Sequence, residues 1–183
     1  MDAIQAYKIG FSGLSNGYHT FSMDIDQAFF DVFEQSEIRE GHVNLSLGLE
    51  KGENMLVLDF AFKGWIGLDC DLCLEAFRQE VDFAQRLFVK FGEDYTEQSE
   101  DVVIIPFGES HLDIAQYVYE YLHLIVPIRK IHPDKTGGLS GCDPDMLDKY
   151  QEYLAASKKG AVDQAVTGSA WDALKKLKFN TEE

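Results

Sequence analysis

The feature that most constrains the fold is a run of period-two alternation in the first half of the chain. Val43-Asn-Leu-Ser-Leu-Gly-Leu49 places an apolar side chain at every second position; Glu50-Lys-Gly-Glu-Asn54 breaks the run, and Met55-Leu-Val-Leu-Asp-Phe-Ala-Phe62 resumes it. Successive strand residues face opposite sides of a sheet, so this pattern buries one face and wets the other. The two runs are expected to pair as antiparallel neighbours through the polar turn. Residues 81–91 continue the pattern, and residues 102–106 add a short apolar strand after an acidic loop at 94–101. Upstream, residues 6–13 and 17–25 alternate more briefly around Ser12-Gly13 and Asn16-Gly17, which reads as a hairpin.

Helical signals are shorter and mostly later. Asp26 stands as the N-cap of residues 26–35, with Phe29, Phe30 and Phe33 on one face. Asp113 precedes a stronger helix whose Ile114, Val118, Tyr121, Leu122 and Ile125 share a face and which halts near Pro127. Asp143-Pro144 is a cap followed by proline at the first helical position, opening a helix through about Leu154. Residues 158–168 lack apolar periodicity and read as a linker to an amphipathic helix at 169–178 carrying Trp171, Leu174 and Leu177. Strands first and helices later define an α+β protein around an antiparallel sheet, strongly curved or barrel-like, with residues 1–157 forming one domain.

Charge narrows the partners. Residues 1–128 hold 7 basic and 23 acidic side chains, whereas residues 129–183 hold 9 of each, so the whole net charge of −16 lies in the first part. Such a surface repels phosphate backbones and suits solubility or docking onto a basic protein. There is no basic segment followed by an apolar run at the N-terminus and no apolar stretch of membrane-spanning length, so a cytoplasmic protein is expected. Gly137-Gly138 and Gly141 lack the ending of a phosphate-cradling loop, and no small-molecule substrate is evident. His111 and Asp113 have no nucleophile with them, and the chain is read as non-enzymatic.

Three thiols carry what chemistry there is. Cys70 and Cys73 form a C-x-x-C, and far downstream His132 and Cys142 sit in a glycine-rich loop. Three sulfurs and one imidazole are the ligand set of a closed tetrahedral zinc site, which would be structural and would tie the late loop to the sheet. A turn between Cys70 and Cys73 is required, because in a strand they would face opposite sides. The same residues also fit reduced, partly buried thiols beside a loop histidine, so both readings stand. Redox catalysis is disfavoured, since Asp69, Asp71 and Glu75 flank the motif and oppose a thiolate.

The order of parts resembles the YceD-like family of large ribosomal RNA subunit accumulation proteins over roughly residues 40–145. The resemblance rests on Cys70, Cys73 and Leu74, the β-rich stretch and acidic loop after them, the hydrophobic segment from Leu112 to Pro127, and the late loop with His132 and Cys142. The N-terminal strands and the Trp171 segment are similar to the branch found in Bacteroidetes-type bacteria. Many members have an arginine before the second cysteine, where this chain has Asp71-Leu72, and several cysteines in the later loop. The resemblance implies a non-catalytic factor supporting accumulation of large-subunit ribosomal RNA. With the charge pattern, the expected partner is a basic ribosomal protein or assembly factor. The alternatives are a metal-stabilised interaction module unrelated to ribosomes, or a thiol-dependent enzyme.

Overall fold

A computed structural model describes residues 3–33, 36–133 and 141–163. The chain divides into two compact units, residues 1–141 and 142–183. Among its described residues the first holds a 3-10 turn at Ala3–Tyr7 and eight strands: β1 (Lys8–Gly10), β2 (Gly17–Ile25), β3 (Glu40–Lys51), β4 (Met55–Asp69), β5 (Ala76–Gly92), β6 (Thr96–Ser99), β7 (Val102–Pro106) and β8 (His111–Asp113). Helix α1 (Gln27–Phe30) follows β2, and α2 (Ala115–Leu124) follows β8. The second unit contributes α3 (Pro144–Asp163).

The alternation in the sequence becomes a long antiparallel meander. In β3 and β4, Leu45 faces Phe62, Leu47 faces Phe60, and Leu49 faces Leu58. In β4 and β5, Leu56 faces Val89, Leu58 faces Leu87, and Leu68 faces Phe77. These side chains are buried and share one face of the sheet. Phe29 and Phe30 of α1, with Val118, Tyr121 and Leu122 of α2, complete the core. Tyr121 meets Phe60 edge-on with ring centroids 5.2 Å apart, a favoured aromatic geometry.

The fold class is the α+β arrangement expected, and the structure revises its details. The large sheet runs β2-β3-β4-β5-β7-β6 and is open, not a closed barrel. It is also mixed, because β7 lies parallel to β5. The acidic loop at 94–101 contains the edge strand β6, antiparallel to β7. No hairpin joins the first two strands: β2 pairs with β3, while β1 pairs with β8 in a separate two-stranded sheet. Lys51 holds the intervening turn by donating from Nζ to the carbonyl oxygens of Phe11 (2.9 Å) and Leu14 (2.7 Å).

The helices revise the expectations at their ends. Asp26 caps α1 by accepting the Ala28 amide at 3.0 Å, but the helix is a single turn that stops at Phe30. One turn satisfies the packing of Phe29 and Phe30, and so short a helix has little intrinsic persistence. Asp113 accepts the Ala115 amide at 3.0 Å at the start of α2. Asp143 caps α3 through the amides of Asp145 (2.7 Å) and Met146 (3.2 Å), with Pro144 at the first position. That helix continues past Leu154 to Asp163, so residues 158–163 are helical and not a linker. Lysine and alanine sustain a helix without an apolar stripe, which explains the difference. The remainder of the expected linker and the Trp171 helix lie outside the described residues. No helix among the described residues is long and apolar enough to cross a membrane.

Candidate metal centre

Strand β4 ends at Asp69 and β5 begins at Ala76, so the C-x-x-C is the tip of a hairpin. The Leu74 amide donates to the Cys70 carbonyl at 2.9 Å, and the Cys70 amide donates to the Glu75 carbonyl at 3.0 Å. Leu74 takes a positive φ of 64°, an uncommon conformation for a residue with a side chain, and this closes the tip. The expected turn is therefore present, and Cys70 and Cys73 no longer alternate across a sheet. Both are buried, as is Cys142, and none of the three is in a disulfide.

The late loop is brought to this tip by two contacts that the motif itself does not announce. Asp71 and Lys130 bond reciprocally: the Asp71 amide donates to the Lys130 carbonyl, and the Asp71 carboxylate accepts the Lys130 amide, each at 2.7 Å. Lys130 also pairs with Glu37 at 2.9 Å. Two residues later, His132 presents Nδ1 to Cys73 Sγ at 3.3 Å, with its ring 5.1 Å from that of Phe77. Gly141 returns the chain to the same place, since a Cβ on it would collide with the Pro133 carbonyl oxygen and lie 2.8 Å from His132 Cβ. Only glycine allows that approach, and Cys142 follows it by one peptide bond.

One ligand atom from each of Cys70, Cys73, His132 and Cys142 lies within 4.8 Å of the others. A zinc tetrahedron with bonds of about 2.3 Å to sulfur has edges of about 3.8 Å, so the four atoms outline a cage of the right scale. The donor set is also of the right kind, soft thiolate sulfur with one imidazole nitrogen. All four residues read from the sequence are brought together, in an arrangement compatible with a metal site. His111 and His123 stand apart from it: His111 meets Ser110 at 2.7 Å, and His123 meets the Tyr119 carbonyl at 2.8 Å.

The electrostatics of Cys70 reverse an expectation. Burial pushes its thiol up, but hydrogen bonds from the backbone amides of Cys73, Leu72 and His132 and from the His132 ring outweigh it, bringing the pKa down to about 6. Of the flanking carboxylates, Asp69 pairs with Arg39 at 3.0 Å and Asp71 accepts the Lys130 amide. Tight turns aim several N–H groups at one sulfur, and the local dipoles favour the thiolate. Such a thiolate is the form a metal takes.

Fold and site together define a class: an α+β protein in which a hairpin-tip C-x-x-C of an antiparallel meander meets a late-loop histidine and cysteine. The family model described as large ribosomal RNA subunit accumulation protein YceD matches residues 58–178, more than half of the chain, and the chain belongs to that family. The match begins within β4 and reaches past Trp171, later at both ends than the stretch from 40 to 145 carrying the resemblance. No curated protein and no solved structure gives a significant match.

Proposed function

We propose that this chain is a non-catalytic factor in the accumulation or assembly of large-subunit ribosomal RNA, acting in the cytoplasm through contacts with a basic ribosomal protein or another assembly factor. Membership of the family carries the reading. The lopsided charge supports protein contact over RNA contact, because a body with 16 more acidic than basic side chains across residues 1–128 repels phosphate. Cys70, Cys73, His132 and Cys142 would hold a structural zinc ion, which would supply a fixed cross-link between the hairpin tip and the late loop. Three sulfurs and one nitrogen fill a tetrahedron and leave no position for substrate, so the ion serves stability and not turnover. Binding free energy on the order of 10 kcal/mol is available from such a site.

Depletion of the protein followed by profiling of ribosomal particles tests the reading. The expected result is a loss of large-subunit particles and of their RNA relative to the small subunit. Normal particles and unchanged RNA would rule it out.

A further inference from the structure

A groove of about 620 Å³ runs between α2 and the β5-β7-β6 end of the large sheet, within the first unit. Its walls carry the carboxylates of Glu97, Glu100, Asp101 and Glu120 and no lysine or arginine. Among the described residues none of these four is in an ion pair. The hydrogen-bond donors they do have are neutral: Tyr95 to Glu97 at 3.0 Å, Gln85 to Asp101 at 2.6 Å and Gln116 to Glu120 at 2.7 Å. Among the described residues no lysine or arginine pairs with that negative charge.

Tyr121 is a second and independent sign of a ligand. The residue is 4% exposed and forms part of the groove wall, yet its buried hydroxyl has no hydrogen-bond partner among the described residues. A tyrosine hydroxyl is protonated at neutral pH in any case, and burial, then the carboxylates of Asp101 and Glu120, push its pKa up further, to about 12. Buried polar groups are ordinarily satisfied, and one that is not asks for an acceptor from outside. Tyr117 and Tyr119 add aromatic surface to the same wall, which suits cations. Beside them, β6 ends the sheet with all four residues exposed and pairs on one side only, with β7. An open strand edge accepts an extended chain through main-chain hydrogen bonds.

We propose that this groove takes an extended, lysine- or arginine-rich peptide segment of a protein partner, laid along β6 with its cations on Glu97, Glu100, Asp101 and Glu120. A peptide supplies the positive charge the groove lacks, and a small turn of the Tyr121 ring would bring its covered hydroxyl to a peptide carbonyl acceptor. The inference rests on the basic-partner reading above and gives that partner a docking surface.

The test is titration of the full chain with a fluorescein-labelled (Arg-Ala)4 octapeptide, followed by fluorescence anisotropy at low and moderate salt. Glu97→Gln combined with Glu120→Gln is expected to weaken binding at least tenfold. The same loss of charge at Glu40→Gln and Glu80→Gln, near the other end of the meander, is expected to weaken it less than threefold. Tyr121→Phe deletes only the unpartnered hydroxyl and is expected to weaken binding severalfold without lowering Tm; unchanged affinity overturns the role given to that hydroxyl. Equal losses in the two charge-neutralised pairs, or no binding to the unaltered chain, overturn the proposal. If ribosomal RNA proves independent of the protein while the pairs still differ, the groove stands and the ribosomal reading falls. If depletion perturbs the large subunit and the groove variants bind no peptide yet restore it fully, the peptide site stands but its part in that function falls.

Discussion

Cys73 touches His132 at 3.3 Å and sits at the tip of a hairpin whose shape depends on Leu74 at positive φ. Removing that sulfur would leave the proposed zinc site with three ligands, an incomplete shell that holds a metal weakly. Cys73→Ala is expected to reduce bound zinc from one per chain to well below one, measured by elemental analysis of the purified protein. It should also lower Tm by about 6–12 °C, the shift that about 3 kcal/mol produces in a chain of this size. Zinc that stays bound in this variant would contradict the assigned ligands. Cys70 makes a separate prediction for the metal-free protein. Its folded pKa is depressed to about 6, so its contribution to stability is complete above the thiol's ordinary value near 9. It declines as pH falls and is gone below about 6. Urea midpoints at pH 9 and pH 6 should therefore differ in the metal-free chain, and Cys70→Ala should shrink the difference. The residue types of this site were legible from spacing alone; their convergence was not, because it depends on Asp71 gripping Lys130 and on the close approach of Gly141. A polar residue between two cysteines and a glycine in a loop signal nothing until the loop is placed.

At the level of strands and helices, legibility followed the hydrophobic period. The meander β3-β4-β5 could be read because one face is buried, so a one-residue slip would turn Leu45, Leu47 and Leu49 outward. Strand direction is not written in that period, and the parallel pairing of β7 with β5 escaped for that reason. Strand β6 escaped because Thr96-Glu-Gln-Ser99 buries nothing and shows no alternation. Within the meander, Gly64 is the most constrained point. It takes φ +151° opposite Val43, and a Cβ there would collide with the His42 carbonyl oxygen and come within 2.8 Å of Val43 Cα. Neither neighbour can retreat, as both belong to the backbone of the adjacent strand. Gly64→Ala is expected to cost on the order of 3 kcal/mol, from strained backbone plus disrupted pairing. Urea denaturation measures this as a lower midpoint with the slope unchanged. A loss below about 0.5 kcal/mol, the usual size of a neutral surface change, would mean that β3 and β4 separate there at no cost.

Across the whole molecule, the charge asymmetry and the acidic run at 94–101 were plain from the sequence, but the groove was not, since it forms only where Glu120 of α2 faces Glu97 and Asp101 of that run. The small sheet has a consequence for the order of assembly. Strand β1 is more than a hundred residues from β8, with Lys8 opposite Asp113, while the meander strands meet across short turns. Closing a long loop costs more chain entropy than closing a short one, so non-local pairings form late. The terminal strand is then a latch, the last piece to dock and the first to release. Its hydrogen bonds from Phe11 to Ser110 (3.1 Å) and from Ile114 to Tyr7 (3.0 Å) are the place to watch. Those two amides should exchange with deuterium through small openings, at least tenfold faster than the amide of Leu58 in the central strand β4, whose exchange requires global unfolding. Equal protection at all three would mean that the chain opens as one cooperative piece, with no latch to lift.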